Sequence, residues 1–209
     1  MDDFYNNYSK NYNRFIDNKL LNLCLRPHIN KYCALFSITT LYNYLYNLNS
    51  LPSYIMNKVG WTDEMLVNGK IGNRSIINGF YRISNKKIKP IICLSNEDLN
   101  NIHNNLDYYW DKIKEYILSE KSVLLYHEHG HYTIICGFIE EPYVTSDDIN
   151  NNFKNIDKRK KNKWLILSEH RTKNENDINN GIFRQINWNI IIDEIMKYKV
   201  ACIILFINS

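Results

Sequence analysis

A chain of 209 residues with 44% hydrophobic and 23% charged residues carries enough apolar side chains for one sizeable core, and a single domain over residues 1–209 is expected. The formal net charge of +4 is too mild to point to nucleic acid. No run reaches the roughly 18 apolar residues that a membrane-spanning helix needs. The opening MDDFYNNYSK is polar and lacks the apolar heart of a signal peptide, so a soluble, cytoplasmic protein is expected.

In chain order, residues 2–22 place Phe4, Tyr8, Phe15, Ile16 and Leu20 near one helical face and predict an N-terminal helical brace. Pro27 breaks it. Asn30 to Leu48 then predicts a helix, with Asn30 as N-cap and Leu35, Ile38, Leu41, Tyr42 and Leu45 on its apolar face. A short helix fits between Pro52 and Gly60. Trp61 to Gly79 matches no phosphate-cradling glycine pattern and reads as turns and close packing. Lys89–Leu94 predicts a strand and Leu106–Leu118 an amphipathic helix.

Ser122–His127 and His131–Ile139 predict two largely buried strands of a hairpin, joined by a turn at Glu128-His129-Gly130. Residues 140–163 read as a long polar surface loop ending in the solvated basic run Lys158–Lys161. Trp164–Glu169 predicts a third strand and Trp188–Tyr198 a helix. Ala201–Ile207 is continuously apolar and predicts a strand buried on both faces. Helices first, then a mainly antiparallel sheet from the second half, is an α+β pattern.

The five cysteines, at 24, 33, 93, 136 and 202, show no CxxC spacing, which argues against structural zinc and for reduced thiols. Cys33 stands apart. A thiol in the first turn of a helix feels the positive end of the dipole, which favours the reactive thiolate. The bland alternative is a small core hydrophobe. A cysteine nucleophile needs a downstream base and a group to orient that base. His131, opening a strand after a glycine turn, fits the first role. Glu169, at the end of WLILSE, fits the second, and the adjacent Ser168 points to the opposite face. His127, His129 and His131 spell HxHxH, a metal site if all three shared one strand, but Gly130 favours a turn that separates them. His127 and His129 then read as exposed or partly buried turn residues. Trp164 and Trp188 read as core.

YCALFSITTLYNYL, SVLLYHEHGHYTIICGF and KWLILSE together resemble the papain-like cysteine peptidases of the bacteriocin-leader-processing type, over about residues 25–170. The resemblance implies a papain-like fold with Cys33 as nucleophile, His131 as general base and acid, and Glu169 as orienter. DEMLVNGKIG (Asp63–Gly72) is similar to the butirosin-biosynthesis type of acyltransferase domain, which implies related chemistry with an amine as acceptor. The chain departs from the peptidase pattern at three points. It has Cys33-Ala34-Leu35 where Cys-Gly-Pro is usual. It has no Gln before the cysteine, leaving His28 and Asn30 as side-chain oxyanion donors. It has Glu169 where Asp is usual. The expected function is a thiol-dependent hydrolase, a peptidase or amidase, acting on a peptide or acyl/amide substrate with no cofactor and no metal. The alternatives are an acyltransferase and an inactive binding module of the same fold.

Overall fold

The computed structural model describes residues 13–24, 31–101, 105–143, 161–169 and 182–208, with main chain alone at Leu21, Asn22, Asn101, Glu169, Ile182 and Phe183. Its centre is an antiparallel sheet of seven strands: β1 (Asn13–Ile16), β2 (Ile91–Leu94), β3 (Ser122–Glu128), β4 (His131–Pro142), β5 (Lys161–Glu169), β6 (Ile182–Asn187) and β7 (Cys202–Ile207). The order across the sheet is β2-β7-β3-β4-β5-β6, with β1 also paired to β4. Eight helices are described: α1 (Asn18–Cys24), α2 (Cys33–Tyr46), α3 (Pro52–Val59), α4 (Asp63–Val67), α5 (Asn73–Ile83), α6 (Asn96–Asn101), α7 (Leu106–Leu118) and α8 (Trp188–Lys197). The fold is α+β. Among the described residues no helix is long and apolar enough to cross a membrane.

The sheet has a hydrophobic core on each face. Helices α1 to α5 cover one face through Leu35, Ile38, Ile55, Ile76 and Phe80, against Val123, Leu125, Ile134, Ile204 and Phe206 of the strands. Helices α7 and α8 cover the other through Trp110, Ile113, Trp188 and Ile191, against Leu124, Tyr126, Leu165, Ile203 and Leu205. Alternate residues of β3 and β7 serve the two cores, which is why both strands read as unbroken apolar runs. Burying each Leu or Ile contributes about 1.5–3 kcal/mol, so the central strands carry much of the stability.

β4 changes neighbours along its length. Its first half, His131–Ile135, pairs with β3, and Gly137–Glu140 pairs with β1 on the row beyond β3. An irregularity between Ile135 and Gly137 shifts the β4–β5 register. After it, Phe138 joins Ile135 in the α7–α8 core, although the two are three positions apart and would face opposite sides of a regular strand. Gly137 sits where a Cβ would lie 2.2 Å from the Phe15 carbonyl oxygen, so β1 reaches β4 only because that position lacks a side chain.

The elements differ from the sequence expectation in several places. Residues 13–16 form a strand, not part of a helical brace, because pairing with β4 satisfies their backbone; the helix starts at Asn18 and residues 1–12 lie outside the described part. Helix α2 starts at Cys33 with Tyr32, not Asn30, at the N-cap and no side-chain cap. The Trp61–Gly79 stretch holds α4 and most of α5. Thr62 caps α4, its hydroxyl accepting from the Met65 N–H at 3.3 Å. Gly79 lies inside α5, where an added Cβ would stand 3.3 Å from Trp61 and Val59 side-chain atoms. Strands β4 and β5 extend into the expected 140–163 loop, and Glu140 is buried; residues 144–160 lie outside the described part. β6 and α6 were not expected. Trp188 is core as expected, but Trp164 is only half-buried, its Nε1 donating to Glu141 Oε1 at 3.2 Å.

Candidate active site

Cys33 opens α2, a helix of 14 residues, and so sits at its positive end, where the first N–H groups have no acceptor within the helix. His131 opens β4 directly after the hairpin turn, where Gly130 takes the left-handed conformation (φ +77°) that the turn requires. The fold brings the two side chains into a hydrogen bond, although 98 positions separate them. Both are buried. Burial pushes the Cys33 thiol up. The hydrogen bond to His131, the Tyr132 N–H, the charge of His131 and the Ala34 N–H together outweigh burial and hold its pKa below the ordinary thiol value.

Other cysteines behave in the opposite way. Burial pushes Cys93 up to about 12, with Cys202 nearby adding to the effect. Burial alone takes Cys202 to about 12. Cys136 is raised by its hydrogen bond with Cys24, at 4.0 Å between sulfurs, and by burial.

Several contacts fix the Cys33–His131 geometry. Ser37, one turn into α2, donates to the Tyr132 carbonyl at 3.4 Å and ties the helix to β4. At the other end of α2, Asn43 in its last turn and Ser50 beyond it exchange two hydrogen bonds, at 3.0 and 2.8 Å. Arg184 of β6 grips Glu128 through both carboxylate oxygens, at 2.9 and 2.6 Å, and holds the hairpin end.

Cys33 lies in a cleft of about 520 Å³. One wall is the α4–α5 junction from Leu66 to Gly72; the other is formed by His127, Gly130, Tyr132 and Val200. The Tyr132 hydroxyl donates to Asn73 Oδ1 at 3.0 Å, and Asn73 Nδ2 donates to the Val200 carbonyl at 2.9 Å. His127 Nδ1 donates to that same carbonyl at 2.8 Å, and its ring stacks on Tyr132 with centroids 4.2 Å apart. Burial, the largest influence, lowers the His127 pKa to about 4.

His127 is thus a buried strand residue, not the turn residue expected. The cross-strand pairing His127–Tyr132 and the Val200 backbone decide its place, and neither is readable from HEHGH alone. The three histidines diverge. His129 stacks on Tyr198, at 4.3 Å between centroids, while His127 faces Val200 and His131 faces Cys33. Among the described residues no three or more His, Cys, Asp or Glu side chains are grouped to hold a metal ion.

Ser168 is buried and paired with Ile134, so it shares the α2 face of the sheet. Glu169 follows as the last residue of β5, paired with Ile182; its side chain lies outside the described part, as do His28 and Asn30. Sequence reasoning missed Tyr132 and Asn73, whose positions depend on contacts across 59 residues of chain. No protein-family model matches the chain, and no curated protein matches it.

Proposed function

We propose that the protein is a thiol-dependent hydrolase of papain-like architecture, a peptidase or amidase, in which Cys33 is the nucleophile and His131 the general base and acid. The observation that carries this reading is the Cys33–His131 hydrogen bond at a helix N-terminus, in a cleft, with the Cys33 pKa held down while burial drives Cys93 and Cys202 up. A cysteine helix seated on an antiparallel sheet, with the histidine at the start of a strand, is consistent with the resemblance drawn from the sequence.

In the reaction, the Cys33 thiolate attacks a carbonyl carbon and forms a C–S bond. The Cys33 N–H, at the helix start where the helix itself offers it no acceptor, steadies the oxyanion, with His28 or Asn30 as the second donor. His131 gives its proton to the leaving amine as the C–N bond breaks. Water then attacks the thioester, His131 takes its proton, and the thiol leaves with the acid released. Glu169 orients the His131 ring. In the acyltransferase alternative, an amine replaces that water.

The test is the pH dependence of iodoacetamide labelling at Cys33, read by mass spectrometry, in the native protein and in His131→Ala. Fast labelling at neutral pH that falls in the variant supports the dyad. Labelling no faster than a free thiol of pKa about 8.5, unmoved by the substitution, removes it and leaves a binding module.

A further inference from the structure

His127 shares the cleft with Cys33 but has no part in the chemistry proposed above. Its ring is fixed on two sides, by the Nδ1 hydrogen bond to Val200 and by the stack on Tyr132. Because the Val200 carbonyl can only accept, Nδ1 carries the proton. The low pKa of this buried ring keeps it neutral near pH 7, so Nε2 holds a lone pair. Among the described residues the ring makes no hydrogen bond at Nε2. It is a preorganised acceptor in the lining of the cleft that holds the nucleophile.

The rest of the lining narrows what that acceptor takes. Leu66, Val67, Ile71, Tyr132 and Val200 give apolar walls, and Gly69, Gly72 and Gly130 leave open backbone. Among the described lining residues Lys31 is the one side chain with a full positive charge and no carboxylate is present. An ammonium group would meet the Lys31 charge and lose its hydration against the apolar walls. A neutral amide N–H has no such cost.

We infer that His127 is a specificity-determining residue, whose Nε2 accepts a hydrogen bond from an uncharged amide N–H in an acyl substrate with small or aliphatic flanking groups. This rests on the reading of Cys33 as the nucleophile.

The test uses acetyl-Ala-Ala chloromethyl ketone and its depsipeptide partner, in which oxygen replaces the N–H next to the reactive ketone. Cys33 sulfur displaces chloride in both, forming a C–S bond, and the thiol proton stays on His131. Each rate is normalised to the same protein's iodoacetamide rate at Cys33. The native protein is expected to alkylate about five- to tenfold faster with the amide probe, the worth of one neutral hydrogen bond. In His127→Asn, which keeps an N–H for Val200 and has no atom at Nε2, the two rates should converge. Equal rates in the native protein overturn the inference without any variant. So does a preference that survives in His127→Asn. Slow iodoacetamide labelling at Cys33 in the native protein instead overturns the nucleophile reading, and this inference with it.

Discussion

The Ser37 hydroxyl donates to the Tyr132 carbonyl at 3.4 Å, joining the fourth residue after Cys33 to the residue after His131. This contact spans the two elements whose ends must meet. Ser37→Ala is expected to cost about 0.5–1.5 kcal/mol in urea unfolding, the usual worth of such a bond. The labelling profile of Cys33 should also move toward that of an ordinary thiol. An unchanged profile would mean that the dyad is held without this link.

Thiol selectivity should follow the pKa pattern. Between pH 6 and 8, roughly below the free-thiol value of about 8.5, Cys33 is the cysteine expected to alkylate, while Cys93 and Cys202, raised to about 12, stay protonated. Peptide mapping after brief iodoacetamide treatment checks this. Labelling of Cys93 or Cys202 ahead of Cys33 would contradict it.

Glu140 is a buried carboxylate that accepts from Trp110 Nε1 at 2.6 Å and from Lys114 at 3.0 Å. Burial raises its pKa, but these bonds and the charges of Lys114 and Lys161 hold it below the ordinary value. A group with a depressed folded pKa stabilises the fold above its unfolded pKa, about 4.3. That contribution is lost as pH falls through the folded value. Glu140→Gln should therefore cost about 1.5–3 kcal/mol at pH 7, in the range for hydrogen bonds to charged groups. The gap to the native protein should start to narrow as pH falls below the unfolded value of about 4.3 and close below the lower folded value. Urea titrations at pH 3 and pH 7 measure it, and a gap independent of pH would refute the assignment.

Gly137→Ala sets a methyl group against the Phe15 carbonyl, where 2.2 Å is available. Backbone must move, and β1 is the piece with the fewest other contacts to give up. A loss of about 1–3 kcal/mol is expected, together with faster hydrogen exchange at Asn13–Ile16. Equal exchange in the two proteins would show that β4 yields instead.

The sequence made the site legible where chemistry coincides with periodicity. Cys33 before a 3.6-residue apolar stripe, and His131 between a glycine turn and a β-branched run, both fell into the expected elements. α7, α8 and β7 were read to within a residue or two for the same reason. β1 escaped because NRFI has no strand pattern of its own and is made a strand by its partner. β6, IFRQIN, is short and interrupted by Arg184 and Gln185, and the Arg is explained only by Glu128 across the sheet. His127 was misread because its acceptor, Val200, is 73 residues away. Burial of Glu140 was hidden because its partners lie on α7 and β5.

The row of backbone beside β4 is filled by two pieces from opposite parts of the chain, β3 next to His131–Ile135 and β1 next to Gly137–Glu140. The second piece is four residues long and serves as a shutter over main-chain donors and acceptors flanked by Phe138 and Ile139. When it lifts, a short apolar ledge is open to whatever strand is nearest, including the same strand of another molecule. Those four residues thus keep a stretch of β4 main chain from standing as an open sheet edge.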